Sequence, residues 1–146
     1  MDHTPKYQHP KYVTEMFARI SNRYDLLNTV MTAGRHLVWK KYVAELATSE
    51  MEGPALDVAT GTGDIAINLS KISTFSKIIG LDFTREMLEI AKRKSQQPNL
   101  TERLNYILGD AHTLPFSDNQ FISATVGFGI RNFTDIPKAL TEISRV

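Results

Sequence analysis

The 146-residue chain contains no cysteine, and its formal net charge is only +1. Without cysteine, the protein can form neither disulfides, nor thiolate nucleophiles, nor zinc–thiolate sites. A charge so close to zero gives no electrostatic basis for binding nucleic acid. No apolar run approaches the ~20 residues that span a bilayer, and the polar N-terminus, with Pro5 and Pro10, does not resemble a signal peptide. We therefore expect a cytoplasmic protein without a nucleic-acid partner.

Metal-ligand spacing is also lacking. The four histidines stand at positions 3, 9, 36 and 112, too scattered for a recognisable ligand set. No metal site is predicted, and His36 enters only as a candidate general base.

The first third of the chain has a helical hydrophobic period. Apolar residues are spaced for one amphipathic helix from Val13, a second short helix ended by Gly34, and a third before residue 50. Their apolar positions are Val13, Met16, Phe17 and Ile20 in the first helix, and Trp39, Tyr42, Val43 and Leu46 in the third. Residues before about 10 are expected to be loose. We predict that residues 1–50 form a helical cap packed on residues 51–146.

From residue 55 the pattern changes to alternating strands and helices. Strands are predicted over residues 55–59, 77–82, 104–109 and 121–128. The inner faces of the intervening helices are predicted to be Ile65, Leu69 and Ile72; then Met87, Ile90 and Ala91; then Ile136, Leu140 and Ile143. Strands joined by helical crossovers indicate an α/β fold with a doubly wound, Rossmann-like parallel sheet.

A glycine-rich turn follows the first strand. Gly61 and Gly63 stand one residue apart, and a helix begins near Asp64. Such glycines permit a sharp turn and let a ligand approach the backbone, although a purely structural turn would explain them equally well.

Acidic residues stand at the ends of the predicted strands. Asp82 ends the second strand, 19 positions after Gly63, where a carboxylate can accept both ribose hydroxyls. Asp110 ends the third strand, and Asp64 opens the first crossover helix. The carboxyl ends of the strands converge in this fold, so the pattern predicts an adenosine pocket. Asp64 could equally cap a helix, and Asp110 could begin a turn.

The charges beside the turn bear on which cofactor binds. Asp57 and Asp64 flank the glycines, and carboxylates there would repel the diphosphate of a dinucleotide. They suit a cationic ligand such as S-adenosyl-L-methionine. An NAD-dependent oxidoreductase is the less favoured alternative.

Four stretches of the sequence together resemble one enzyme family. They are residues 16–28 (MFARISNRYDLLN), 57–64 (DVATGTGD), 111–116 (AHTLPF) and 127–132 (GFGIRN). Residues 57–64 look like motif I of class I methyltransferases, and the whole set is similar to the ubiquinone/menaquinone biosynthesis C-methyltransferases. The resemblance extends from about residue 13 to residue 146.

The resemblance implies S-adenosyl-L-methionine-dependent methylation of a ring carbon in a polyprenylated quinol, either demethylmenaquinol or a methoxy-polyprenyl-benzoquinol. It places the cofactor contacts at Asp57, Thr60, Gly61, Thr62, Gly63, Asp82, Phe83, Asp110, Ala111 and Gly127. Many relatives have Asn where this chain has Asp110, and some have Ser at the position of Gly127. As catalytic residues we select Arg131 to stabilise the phenolate, Asn132 to orient the quinol oxygen, and Tyr24 from the cap.

The family continues past Val146 into further strands. We therefore expect this chain to be a C-terminally truncated form whose fourth strand is an open edge with apolar surface beside it. The prenylated substrate predicts peripheral contact with the inner membrane face through the apolar helices, and a homodimer is left open. The alternatives are a non-catalytic fragment that binds the cofactor and a methyltransferase acting on another small molecule.

Overall fold

The computed structural model describes residues 10–47, 50–97 and 102–146, and the predicted loose N-terminal segment lies almost wholly outside them. In chain order the elements are α1 (Pro10–Thr32), α2 (Arg35–Leu46), β1 (Gly53–Val58), α3 (Asp64–Leu69), β2 (Phe75–Asp82), α4 (Arg85–Lys94), β3 (Leu104–Leu108), β4 (Ser123–Val126), a 3-10 helix (Phe128–Asn132) and α5 (Ile136–Arg145). Two helices, where three were predicted, are thus followed by the predicted alternation of strands and helices.

The four strands form one parallel sheet in the order β3-β2-β1-β4. The order reverses between β1 and β4, because the chain first builds outward through β2 and β3 and then returns to the other side of β1. The predicted doubly wound α/β class is confirmed. Among the described residues β4 pairs with β1 alone, so it is an edge strand as expected.

Alternate residues of the central strands enter two separate cores. Ala55 and Ile78 face α2 and α3, where they pack with Ala44, Ile65 and Leu69. The other face is formed by a set that packs under α5: Leu56, Val58, Ile79, Leu81, Ala111, Leu114, Ala139 and Val146. Burial on both faces explains why β1 and β2 are nearly continuous apolar runs.

The strand boundaries differ from the prediction where the backbone leaves the ladder. β1 ends at Val58 because Ala59 adopts a positive φ of 54°. β4 spans only Ser123–Val126 because the backbone enters the 3-10 helix after Gly127, and because the Phe121 N–H donates to the carbonyl of Val146 instead of a strand. β3 ends one residue earlier than predicted and β2 begins two residues earlier.

Helix α1 is one continuous helix of 23 residues, so the predicted break between two short helices is wrong. Neither glycine nor proline interrupts this segment, and the Ser21 hydroxyl donates back to the Ala18 carbonyl without ending it. The helix ends at Ala33 and Gly34, which adopt φ values of 49° and 77°, and the Gly34 N–H donates to the Thr29 carbonyl. The predicted stop at Gly34 is confirmed.

The inner faces of α2 and α5 are rotated relative to the prediction. On α2 the core residues are Ala44 and Val43, whereas Trp39, Tyr42 and Leu46 are exposed. On α5 the inward residues are Ala139 and Ile143, whereas Ile136 and Leu140 are largely exposed. In both helices a small alanine faces the sheet layer. Alanine lets the helix approach closely and moves the larger side chains to the margin.

The predicted faces of the other crossover helices are largely confirmed. Ile65 and Leu69 of α3 are buried, as are Met87 and Ala91 of α4. Ile72 follows the end of α3 and packs partly buried against the same core. Among the described residues no helix is both long enough and apolar enough to cross a bilayer.

Candidate functional site

A cavity of about 60 Å³ lies beyond the carboxyl ends of β1 and β4, where the strand order reverses. It is lined by Phe17, Tyr24, Lys40, Ala59, Thr60, Gly61, Thr62, Asp64, Ile65, Asp82, Phe83, Thr84, Met87, Gly127, Phe128, Gly129 and Asn132. The helical cap supplies one wall and the turns after β1, β2 and β4 supply the others. Doubly wound sheets bind their ligands at this position, so this space is the candidate cavity.

The turn after β1 depends on its two glycines in different ways. Gly61 and Gly63 adopt positive φ values of 56° and 84°. A Cβ at Gly63 would lie 2.5 Å from the Tyr106 Oη and 2.9 Å from the Ala91 Cβ, so only glycine fits. A Cβ at Gly61 would meet nothing within 4 Å. The backbone at Gly61 is therefore open to a ligand, while Gly63 packs tightly beneath it.

The Asp82 carboxylate connects this turn to the next one. Its Oδ2 accepts the Gly61 N–H at 2.8 Å, and its Oδ1 accepts the Thr84 N–H at 2.9 Å. Burial raises the pKa of Asp82 above its ordinary value, and these backbone bonds oppose that rise. A carboxylate oxygen has two acceptor positions, so each oxygen retains capacity for a further donor inside the cavity.

Asp57 lies inside the sheet and does not line the candidate cavity. It is completely buried, and its oxygens accept the hydroxyls of Thr60 at 2.6 Å and Thr125 at 2.8 Å. Burial raises its pKa to about 6, and the two hydroxyl bonds limit the rise. Asp57 thus supports the glycine turn from below through Thr60, which does line the cavity.

Asp64 is part of an ion-pair network, defined here as Asp25, Asp64, Lys40 and Lys94. Lys40 Nζ lies 2.6 Å from Asp64 Oδ2, and Lys94 Nζ contacts the other oxygen of Asp64. Lys94 also reaches Asp25 of α1 at 2.8 Å. Burial alone would raise the pKa of Asp64, but the two ammonium groups outweigh it and hold the pKa below its ordinary value.

The network changes the charge argument made from the sequence. Two carboxylates and two ammonium groups balance, so Asp64 presents no net negative charge to a ligand. Asp57 is buried within the sheet, where its carboxylate accepts two hydroxyl groups and does not face the cavity. Asp64 therefore does not contribute the repulsion of a diphosphate that the sequence suggested, because the sequence did not reveal Lys40 and Lys94 as its neighbours.

The predicted adenine contacts do not line the candidate cavity. Asp110 is exposed and accepts both the backbone N–H and the Nδ1 of His112, at 2.9 and 2.6 Å. Burial would raise the pKa of Asp110, but these bonds lower it overall. Ala111 is buried in the core under α5.

Two of the three predicted catalytic residues line the candidate cavity, and the third does not. Tyr24 and Asn132 line the cavity from opposite sides, one on α1 and the other at the end of the 3-10 helix. Arg131 is exposed beside Asn132 and does not line it. Of the predicted cofactor residues, those in the cavity wall are Thr60, Gly61, Thr62, Asp82, Phe83 and Gly127, while Gly63 stands just behind it.

Sequence reasoning missed Lys40, Thr84 and Phe128 in the cavity wall. Phe128 and Thr84 are chain neighbours of the predicted residues Gly127 and Phe83, so their position in the motifs could have identified them, whereas Lys40 reaches the site only through the docking of α2. His36 is buried instead, with its Nδ1 3.0 Å from the Thr32 Oγ1, and it does not line the cavity. Within the described part of the chain no three potential ligands cluster to hold a metal, and His3 and His9 lie outside that part.

Comparison with known proteins decides the family. The profile of the ubiE/COQ5 methyltransferase family matches residues 5–146. The chain belongs to this family. The resemblance inferred from residues 16–28, 57–64, 111–116 and 127–132 is thereby confirmed.

Individual relatives agree with this assignment. The chain is 44% identical to a 2-phytyl-1,4-naphtoquinone methyltransferase of Synechocystis sp., over 92% of this chain and 57% of that protein. It is 42% identical to a demethylmenaquinone methyltransferase of Thermus thermophilus, over 90% of this chain and 59% of the other. The chain therefore spans less than two thirds of the length of these relatives.

A solved structure shows the same fold. The structure of a putative S-adenosyl-L-methionine-dependent methyltransferase from Methanococcus maripaludis superposes with a TM-score of 0.67 at 27% identity, and the match covers 99% of this chain and 62% of that one. The Rossmann-like sheet of this chain is thus the fold of a methyltransferase.

Proposed function

We propose that this chain is the cofactor-binding part of an S-adenosyl-L-methionine-dependent C-methyltransferase that acts on a polyprenylated quinol. The observation that carries the proposal is the meeting of Asp82, the open backbone at Gly61, Tyr24 and Asn132 in one cavity at the switch point of the sheet. Family membership supplies the reaction class. In this proposal residues 1–50 act as a cap over residues 51–146.

The residues present fit an adenosine-containing cofactor. The free acceptor positions of Asp82 suit the two hydroxyls of a ribose, Phe83 offers an apolar edge beside them, and Gly61 permits close approach. Thr60, Thr62 and Gly127 complete the wall on the side of β1 and β4. When bound, S-adenosylmethionine supplies an electrophilic methyl group.

The cavity volume of about 60 Å³ holds a few water molecules but not a nucleoside. Binding therefore requires the cap to move away from the glycine turn. The contacts that must yield include two made by Asp25 of α1, whose Oδ1 accepts the Thr62 hydroxyl at 2.7 Å and whose Oδ2 lies 2.8 Å from Lys94 Nζ. Asp57 and Gly63 keep the shape of the turn during this motion. Asp110 and Ala111 stay assigned to the adenine, since both contacts with His112 use Asp110 Oδ1 and Oδ2 can accept from the adenine amine.

The proposed chemistry depends on a negative charge on the substrate. A ring carbon of a quinol becomes nucleophilic when the neighbouring hydroxyl loses its proton. Asn132 orients that oxygen, and the Arg131 guanidinium, which remains a cation in proteins, stabilises the phenolate from the rim of the cavity. Tyr24 holds the opposite side of the ring. The ring carbon would gain the methyl group as the methyl–sulfur bond of the cofactor breaks and S-adenosylhomocysteine is released, and loss of the ring hydrogen as a proton to water would restore the aromatic ring.

A naphthoquinol ring is the favoured substrate, because the relatives from Synechocystis sp. and Thermus thermophilus carry naphthoquinone and menaquinone names. A menaquinone precursor thus takes precedence over a ubiquinone precursor. The test is incubation with isotopically labelled S-adenosylmethionine and either reduced 2-prenyl-1,4-naphthoquinone or the corresponding methoxybenzoquinol. We expect labelled product from the naphthoquinol. Product from the benzoquinol alone would reverse the choice of ring.

Variants sharpen this assay. Asn132→Ala should lower kcat while leaving the affinity for S-adenosylhomocysteine unchanged, and Asn105→Ala, an exposed position on β3, serves as the matched control. Cofactor binding without any methylated product would contradict catalysis and favour a non-catalytic fragment.

We further infer that the protein contacts membrane surfaces peripherally, since its substrate carries a prenyl tail. The supporting observation is a set of exposed apolar side chains at the corner between α1 and α2, including Val30, Met31 and Val38. We expect co-flotation with phosphatidylcholine–phosphatidylglycerol vesicles that weakens in Val30→Ser/Met31→Ser but not in Leu108→Ser, an exposed apolar control on β3. Failure to float, with dimer formation in light scattering, would instead assign this surface to a homodimer.

A further inference from the structure

A second, larger cavity lies beside the candidate cavity. It has a volume of about 250 Å³ and opens between α2 and the carboxyl end of β4. Its apolar side chains are Trp39, Val43, Ile65, Val126 and Phe128. We call it the apolar pocket. Lys40, Ile65, Gly127 and Phe128 border both spaces, so the pocket is directly adjacent to the candidate cavity.

Two aromatic residues at its mouth are left unusually accessible. The rings of Trp39 and Phe128 meet edge to face, with centroids 6.0 Å apart and planes inclined by 65°. Their exposed fractions are 44% and 40%, although each is large and apolar. Core packing was the expectation for Trp39, and the rotation of α2 overturns it. Exposed aromatics around a cavity are typical of a ligand site.

The charges of the pocket define the ligand it accepts. Its one cationic neighbour, Lys40, is already paired with Asp64 at 2.6 Å. The remaining lining groups are hydrocarbon, aromatic rings or glycine backbone. The pocket thus favours an uncharged, branched hydrocarbon over an ionic or strongly polar ligand.

We propose that the apolar pocket binds the part of the prenyl tail next to the quinol ring, with Trp39 and Phe128 as specificity-determining residues. This inference rests on the proposed function, because the adjacency of the two cavities places the tail here only if the ring lies in the candidate cavity. Burial of the tail in the pocket would favour prenylated quinols over rings without a tail.

Fluorescence tests tail binding independently of methyl transfer. Trp39 is the only tryptophan of the chain, so intrinsic tryptophan emission reports on this pocket alone. The probe is geraniol, a prenyl alcohol without a quinone ring, titrated into the purified protein with n-butanol as the control. We expect a saturable blue shift with geraniol and none with butanol.

Variants decide where the probe binds. Phe128→Ala should weaken geraniol binding by about tenfold, as expected for the loss of several apolar contacts. Phe128→Leu should retain most of the affinity, and it keeps the test decisive if Phe128→Ala is poorly folded. Val38→Ala is the control, because Val38 is exposed on the same helix and does not line the pocket.

The kinetic counterpart separates the two proposals. Trp39→Ala should raise the KM for the prenylated naphthoquinol while leaving the KM for menadiol, a ring without the tail, unchanged, because Trp39 lines the apolar pocket but not the candidate cavity. A saturable geraniol response without methyl transfer would support the pocket and contradict the proposed function. Absence of a saturable response would overturn the pocket, as would emission that depends on protein concentration, since that would assign Trp39 to contact between two copies.

Discussion

Lys94 on α4 and Asp25 on α1 are 69 positions apart in the chain, and their Nζ and Oδ2 atoms lie 2.8 Å apart. The same ammonium group contacts Asp64 at the start of α3 and lies 3.2 Å from the Thr62 hydroxyl. One side chain therefore joins the cap, the glycine turn and the α/β layer. Because α1 covers the candidate cavity, we expect the strength of the contact between Lys94 and Asp25 to set how readily the cavity opens.

Replacing Lys94 by methionine should loosen the cap. The change leaves Asp25 and Asp64 without the ammonium group that they share, although Lys40 still pairs with Asp64. The Lys94 side chain is 30% exposed, so we expect a loss in the free energy of unfolding of about 1–2 kcal/mol, between the values for exposed and buried pairs. Amide hydrogen exchange in α1 should accelerate, and S-adenosylhomocysteine should associate faster.

The matched control is Lys41→Met. Lys41 also pairs with a carboxylate, Glu45, but the two side chains are 70% and 59% exposed and 3.6 Å apart. Its loss should change stability by less than about 0.5 kcal/mol. If the two variants had equal exchange rates in α1, Lys94 would not hold the cap.

Gly63→Ala should be far more damaging than Gly61→Ala. Both positions have positive φ, so each variant bears a backbone strain of about 1 kcal/mol. Only at Gly63 does the new methyl group also collide with Tyr106 Oη and Ala91 Cβ. Urea unfolding should show an additional loss of about 1–3 kcal/mol for Gly63→Ala.

A double variant isolates the cause of that difference. Tyr106→Phe removes the hydroxyl oxygen that lies 2.5 Å from the added methyl group. Gly63→Ala should therefore cost less in the Tyr106→Phe background than in the wild type. Equal costs in both backgrounds would show that the collision with the Tyr106 hydroxyl does not contribute, and would leave strain at φ and the contact with Ala91 Cβ as the causes.

Local features of the sequence were sufficient to predict the glycine turn, the parallel sheet and the placement of Asp82 at the end of β2. Each depends on residues that are near one another in the chain. The pairing of Lys40 with Asp64 could not be predicted, because it depends on how α2 is rotated about its own axis when it docks. The same rotation exposes Trp39, and no pattern within α2 distinguishes the observed face from the predicted one.

The role of Asp57 illustrates a second limit. A carboxylate within a strand can face a ligand, or it can be buried and accept hydrogen bonds from hydroxyl groups. The sequence of β1 does not distinguish these two arrangements. Thr125, which decides the matter, follows 68 positions later. That Tyr24 and Asn132 line the same cavity likewise depends on how α1 docks, and no local pattern determines this docking.

Asp57→Asn should change how stability depends on pH. Burial raises the pKa of Asp57 from 3.8 to about 6, so the folded protein holds this proton more tightly than the unfolded chain does. The raised pKa of Asp57 therefore stabilises the folded protein below about pH 4, and this stabilisation is lost as the pH rises to about 6. A shift of about two pKa units corresponds to about 3 kcal/mol.

The asparagine variant does not titrate, so its free energy of unfolding relative to the wild type should rise by about 3 kcal/mol between about pH 4 and pH 7. Urea unfolding across this range measures the difference. Loss of a hydrogen bond from the Thr60 or Thr125 hydroxyl would lower the free energy of unfolding of the variant by the same amount at every pH, and would leave its dependence on pH unchanged. Parallel curves for the two proteins would contradict the raised pKa, because they would show that Asp57 titrates alike in the folded and unfolded states.

The measurement that tests the central claim most directly is calorimetric titration with S-adenosylhomocysteine, with NADH as the comparison ligand, on the wild type and on Asp82→Ala. We predict that the wild type binds S-adenosylhomocysteine and not NADH, and that Asp82→Ala binds it at least about tenfold more weakly, since two hydrogen bonds to a carboxylate are lost. Thermal unfolding of the variant establishes that it is folded. Binding of NADH, or an unchanged affinity in a folded Asp82→Ala, would contradict an adenosylmethionine site at the switch point of this sheet.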